Sequence, residues 1–192
     1  MKKVGLVIGH NDNKTGCKSP THLIKEYYYN KNTVFLMQKV LLHRFKDMRS
    51  YVFLRVNNME YPDEMNELAY QVKDMDLVIS FHCNSASSTS ATGHETWIYP
   101  NTSLETQLAA ELLNNGLGFI FGNKDRGVKK RYQGNKPENR GWQYHYYLKP
   151  PAILLEPGFF SNEEDSELLI QKQKVYIEEM PYYIKSALEV YS

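Results

Sequence analysis

Three side chains suited to metal binding or proton transfer stand at the ends of three apolar runs. His10 follows Val4-Gly5-Leu6-Val7-Ile8-Gly9, and His82 follows Leu77-Val78-Ile79-Ser80-Phe81. Glu156 closes Ala152-Ile153-Leu154-Leu155. Short β-branched runs of this kind read as buried strands. Open α/β sheets collect their ligands at the carboxyl ends of such strands, so the three side chains converge on one rim. Either histidine alone reads equally as a hydrogen-bonded structural residue, and the glutamate alone as half of a salt bridge. Together they suggest a shared site, because a carboxylate ending an apolar strand needs a cation or donors. Two histidines with carboxylates also suit a catalytic zinc, which keeps one position open for water.

The elements that must position these groups alternate between strand and helix, the pattern of an α/β domain. Strands are expected at Val4–Ile8, Tyr51–Val56, Asp76–Phe81, Glu95–Tyr99 and Ala152–Leu155, with a weaker edge candidate at Gly127–Arg131. Val34, Met37, Val40, Leu41, Phe45 and Met48 follow helical spacing. Ser19-Pro20 would allow that helix to begin early, as a cap followed by proline. Met65, Leu68, Ala69 and Val72 make a shorter amphipathic piece, and 104–119 a third helix. Ser161 and Glu164 have capping-box spacing before a last helical stretch, which Pro181 should kink or split. Residues 122–150, rich in glycine, proline, aromatics and bases, read as a long loop of the kind that is more often functional than idle.

The bulk numbers fit one domain. The chain has 192 residues, 23 Lys and Arg against 22 Asp and Glu, and a net charge of +1, which argues against a nucleic-acid partner. Cys17 and Cys83 make no disulfide framework. The apolar run Val4–Ile8 is too short for a signal peptide, and no stretch reaches the roughly 18 apolar residues that span a bilayer. Synthesis in the cytoplasm, no stable membrane association and a monomer are therefore expected.

The order of motifs along nearly the whole chain resembles the N-acetylmuramoyl-L-alanine amidase family of type 3. The motifs are Gly9-His10; Glu26 with Asn30 four residues on; Ser80-Phe81-His82-Cys83-Asn84; Gly93-His94-Glu95-Thr96-Trp97-Ile98-Tyr99; Arg126-Gly127-Val128-Lys129; and Pro151 to Asn162. The resemblance implies a three-layer α/β sandwich with about six mostly parallel strands, the zinc amidase or phosphorylase-hydrolase-like fold. It implies one zinc held by His10, Glu26 and His82, with Glu156 as general base. Glu26 is assigned by resemblance alone. The implied reaction is hydrolysis of the amide joining N-acetylmuramic acid to L-alanine in peptidoglycan, as in a phage endolysin released by a holin, or in a bacterial autolysin. A single catalytic domain over 1–192 without a separate wall-binding domain is expected. A zinc peptidase cutting within the stem peptide and a non-catalytic wall-binding module on the same scaffold are the alternatives.

The chain departs from the family after the first ligand. Asp-Pro-Gly-His-Gly-Gly is usual there, whereas this sequence reads Val7-Ile8-Gly9-His10-Asn11-Asp12, without the backbone freedom of the two glycines. Asn84, Trp142 and His145 are further candidates for contact with substrate. Lys129, Lys130, Arg131, Lys136, Arg140 and Lys149, against the one acid Glu138, could pair with stem-peptide carboxylates. Cys83 should point away from the site on the strand pleat, and neither Cys17 nor Ser80 has a recognisable base partner.

Overall fold

A computed structural model describes residues 1–134 and 141–191. The strands are β1 (Lys2–Ile8), β2 (Met48–Leu54), β3 (Leu77–Phe81), β4 (His94–Ile98), β5 (Asp125–Lys130) and β6 (Ala152–Glu156). The helices are α1 (Glu26–Arg44), α2 (Tyr61–Val72), α3 (Leu104–Phe121), α4 (Trp142–Tyr147), α5 (Glu163–Gln171) and α6 (Gln173–Glu189). The six strands form one sheet in the order β2-β1-β3-β6-β4-β5, parallel except for the β4–β6 pair. The expected α/β architecture is present.

Strand alternation splits the core in two. Val4, Leu6, Ile8, Leu77, Ile79, Phe81, Ile153 and Leu155 face α1, α3 and α6 in the larger cluster. Val7, Val78, Ala152, Leu154 and Trp97 face the opposite side, with Met65, Leu68 and Val72 of α2 and Tyr144 of α4. A period of two therefore sends successive side chains of the same strand into different layers. The strands β3, β4 and β6 are buried along their whole length, as both-sided coverage requires.

The helix ends follow local chemistry. The Ser103 hydroxyl accepts from the Thr106 N–H at the start of α3, and Gly122 closes that helix with φ +69°. Asn162, not Ser161, caps α5, its side chain accepting from the Asp165 N–H.

Several expectations are corrected. The first helix begins at Glu26, not Ser19. Leu23 takes φ +57° and the Ser19 N–H bonds the Ile24 carbonyl, so 19–24 is a tight turn that cannot propagate as α-helix. Met48 belongs to β2, where parallel pairing with Lys2 outweighs helical spacing. Pro181 does not divide the last helix. The break falls at Lys172, and Pro181 sits buried inside a continuous α6. The region 122–150 is not one loop: it contains β5 and the short α4, and Lys136, Glu138 and Arg140 lie outside the described residues.

Candidate active site

Register brings the site together. Ile8 pairs with Phe81, and Phe81 with Leu155, across three adjacent parallel strands. The next residues continue the ladder: the Gly9 N–H bonds the Phe81 carbonyl and the His82 N–H bonds the Leu155 carbonyl, both near 3 Å (2.9 and 3.0 Å). His10, His82 and Glu156 therefore emerge at one rim. The reversed β4 presents its first residues to the same rim, with Glu95 directly opposite Glu156.

Glu26 joins them from the first turn of α1, where a carboxylate is favoured by the helix dipole. It is 2% exposed. Its Oε1 lies 3.1 Å from His10 Nε2 and 3.2 Å from His82 Nδ1, and accepts the Cys83 N–H at 2.9 Å. Oε2 accepts the Cys17 N–H and its thiol. One ligand atom from each of His10, Glu26 and His82 can be chosen so that all three lie within 4.8 Å of one another. The rings of His10 and His82 stand edge-on, 5.0 Å between centroids.

The donor set fits zinc. Burial pushes the Glu26 carboxyl up, but hydrogen bonds and charge from His10 and His82 outweigh it, leaving a carboxylate well below the usual range. Burial lowers His82 to about 4 despite Glu26, so its ring is neutral at pH 7, the form that ligates a metal. Two glycines leave room for this cradle. A Cβ on Gly9 would meet the His82 ring at 2.6 Å, and one on Gly16, whose φ is +73°, would meet Glu26 Oε2 at 2.4 Å.

The path after His10 needs no glycine pair. His10 itself takes φ +66°. Asn11 is buried and holds the turn through its side chain. Its Oδ1 accepts the Asn13 and Lys14 N–H groups, and its Nδ2 donates to the Val56 carbonyl and Glu64 Oε1. Glu64 is in turn fixed by two hydrogen bonds from Arg55.

Glu156 is 8% exposed and its Oε2 has no partner among the described residues. Burial raises its pKa well above the carboxylate norm, the charge of Glu26 adds to that rise, Arg131 opposes it and Glu95 adds a little more. Glu95 is the residue that the strand-end reading passed over. It accepts from Asn84 Nδ2 (2.6 Å), Trp97 Nε1 (3.0 Å), Arg126 Nε (2.6 Å) and Lys129 Nζ (2.6 Å). Burial raises its pKa, but Lys129 and Arg126 win and keep it ionised. Its signal in the sequence was the same as that of Glu156, a carboxylate within a buried strand.

The other candidates scatter. Asn84 is half-buried and spends its amide on Glu95. Trp142 is half-buried on α4, against Tyr146 and Tyr147. His145 is buried, with Nδ1 3.2 Å from the Ala152 carbonyl. Cys83 faces the larger core, and burial raises the Cys17 thiol far above its ordinary pKa, so neither offers a thiolate.

A match to the family described as N-acetylmuramoyl-L-alanine amidase extends over residues 4–188. The chain belongs to that family. Among curated relatives, this amidase chain is 33% identical over 103 residues to N-acetylmuramoyl-L-alanine amidase LytC of Bacillus subtilis (strain 168), covering 53% of this chain and 18% of LytC. It is 23% identical over 171 residues to CwlM of Bacillus licheniformis, covering 88% of this chain and 61% of CwlM. The chain thus spans less than two thirds of either curated relative. Its fold matches an N-acetylmuramoyl-L-alanine amidase from Clostridium difficile 630, with a TM-score of 0.79, 21% identity, and coverage of 99% of this chain and 96% of that one. The catalytic domain of CwlV from Bacillus (Paenibacillus) polymyxa var. colistinus gives a TM-score of 0.76 at 22% identity, covering 99% of each chain.

Proposed function

We propose that this chain is a zinc-dependent amidase that hydrolyses the bond between N-acetylmuramic acid and L-alanine in peptidoglycan. The observation that supports the reading is that His10, Glu26 and His82 bring ligand-type atoms within 4.8 Å of one another, on the rim where Glu156 has a carboxylate oxygen without a partner among the described residues. His10, Glu26 and His82 would hold the ion. Zinc, when bound, supplies a Lewis acid for carbonyl and water chemistry. Glu156 takes the proton of the attacking water as the lactyl carbonyl becomes tetrahedral. It then returns that proton to the departing L-alanine nitrogen. In the metal-free protein burial raises its proton affinity, the direction that suits a group which takes up a proton and gives it back.

Product analysis tests the reading. Digestion of purified walls should release a new alanine amine terminus, stop with chelator and return with zinc. A different new terminus would make the chain a stem-peptide peptidase, and chelator-resistant cleavage would remove zinc from the scheme. The proposal extends to an endolysin, made in the cytoplasm and reaching the wall after release. The catalytic domain of the CD27L endolysin shares the fold at a TM-score of 0.73 and 22% identity. Co-expression with a holin should lyse cells that tolerate the chain alone; lysis without the holin would contradict that setting. No helix among the described residues is long and apolar enough to cross a membrane.

A further inference from the structure

Among the described residues a second buried polar atom without a hydrogen bond belongs to a cation whose charge acts on Glu156. Arg131 follows β5, held by its N–H bond to the Ile98 carbonyl. Its guanidinium stacks on the Trp97 ring at 4.2 Å from the centroid, its Nε is buried without a hydrogen bond, and Gly141 packs close to one terminal nitrogen. The neighbouring bases are committed: Arg126 and Lys129 both pair with Glu95. No carboxylate among the described residues lies within ion-pair distance of Arg131. A buried Nε without a hydrogen bond is costly, and a guanidinium seated over an indole has its planar fork available for a carboxylate.

Position says which carboxylate. Glu95, Trp97 and Glu156 share the sheet face that packs against α2 and α4, and Trp97 pairs with Leu154 on one side and Lys129 on the other. Lys130 pairs with Ile98, so Arg131 enters from the end of β5 away from that rim, and its side chain lies back over Trp97, where its charge acts on Glu156. The lactyl carboxyl is consumed in the scissile amide, so the nearest free carboxylate of the substrate comes from its amine side. In a muramyl peptide, L-alanine is followed by a γ-linked D-glutamyl residue, whose α-carboxyl is about 7 Å along an extended chain from the scissile nitrogen. That group occurs as a free carboxylate or as an amide.

Resting on the amidase reading, we infer that Arg131, seated on Trp97, binds the α-carboxylate of the second stem-peptide residue and makes the enzyme selective for that carboxylate over its amide. Arg131 is then a specificity residue, not part of the proton-transfer machinery.

Two disaccharide-tripeptides that differ only in this group, D-glutamate against D-isoglutamine, test it. With wild type, kcat/KM should favour the carboxylate by about tenfold or more, as a charge-assisted bidentate contact implies. Arg131→Gln should abolish the preference, bringing the ratio of the two kcat/KM values to about one, whatever change in both rates follows from removing a charge that acts on Glu156. Arg131→Lys should restore part of the preference. Direct binding of the same two ligands to zinc-loaded Glu156→Gln, with and without Arg131→Gln, reads the preference without turnover. Equal affinity of the Arg131-containing protein for both ligands, or a preference that survives Arg131→Gln, overturns the assignment. Absence of cleavage in wild type with the binding preference intact would count against the amidase reading and leave the carboxylate subsite standing.

Discussion

Glu95 and Glu156 sit directly opposite each other on the antiparallel β4–β6 pair, and their environments drive them apart. Glu95 is ringed by Arg126, Lys129, Asn84 and Trp97 and stays ionised; Glu156 has an oxygen without a partner among the described residues and holds its proton more tightly. Two carboxylates with opposed pKa shifts on one rim are how a site separates a structural anion from a proton carrier. Glu156→Gln should therefore lower turnover by about 100-fold or more, the contribution expected of a general base, while zinc content stays at one per chain. The metal-free protein gives a second readout. A carboxyl whose folded pKa is raised contributes stability that is fully present below its unfolded pKa of about 4.3 and is lost as pH rises through the folded value, so the Gln variant should lose less stability than wild type as pH rises from about 4.3. Near-normal cleavage by the variant would remove Glu156 from the reaction.

Glu95→Gln acts differently. It leaves Arg126 and Lys129 without their shared anion, and these are about 30% exposed (29% and 32%). Solvent screening reduces the cost, so a loss of about 1–2 kcal/mol is expected rather than the larger penalty of a fully buried pair. A denaturant titration checks this. Combining it with Arg126→Gln should give a total well short of the sum of the single effects, since both remove one interaction. Additive losses would show that the pair is not coupled.

Glu26 is the proposed ligand that only resemblance pointed to, and the geometry gives it a specific consequence. Its Oε1 is shared by His10, His82 and the Cys83 N–H. Glu26→Gln keeps the shape but removes the charge, so zinc content should fall below one per chain with the fold retained by circular dichroism. Full zinc occupancy in that variant would take Glu26 out of the ligand set.

How much of this was legible follows from the range of each signal. Strand period and apolar runs are local, so β1, β3 and β6 and the rim positions of His10, His82 and Glu156 could be read directly. Glu26 could not, because its meaning depends on α1 crossing beneath two strand ends that lie 16 and 56 residues away in sequence (Glu26 to His10 and to His82). Arg131 was visible only as one base among six. Its distinction is that its neighbours Arg126 and Lys129 are neutralised by Glu95, a tertiary fact. Pro181 misled because a buried, packed helix tolerates a lost N–H that an isolated one would not.

Gly16 gives a sharper test of the cradle than any ligand. Its φ of +73° is strained for a side chain, and a Cβ there would stand 2.4 Å from Glu26 Oε2 and 2.8 Å from His10 Nε2. Gly16→Ala should push both ligands aside, weakening zinc binding by at least about tenfold, the lower end of what displaced ligand support costs. Competition with a chelator measures it. Gly127→Ala, at φ +76° but with open space around its Cβ, is the control for backbone strain alone and should leave zinc affinity unchanged. Equal losses in the two variants would assign the effect to strain and not to the ligands.

His145 should set the acid limit of the fold. Its Nδ1–H is held by the Ala152 carbonyl, its Nε2 is buried without a partner, and burial, with the charges of Arg131 and His82, lowers its pKa to about 3. A histidine depressed in this way stabilises the fold above its unfolded pKa of about 6.5, and the contribution is lost as pH falls toward 3. The loss between pH 6.5 and 5 comes to about 2 kcal/mol at 1.36 kcal/mol per unit. His82, lowered to about 4, titrates in the same window in the metal-free protein. The informative quantity is therefore the difference between wild type and His145→Gln, whose amide can still donate to Ala152 but does not titrate. Its unfolding free energy should fall less steeply from pH 6.5 to 5, by about that 2 kcal/mol. Parallel stability curves for the two proteins would mean that His145 takes up no proton on unfolding, and that the acid limit lies with His82 and the metal ligands instead.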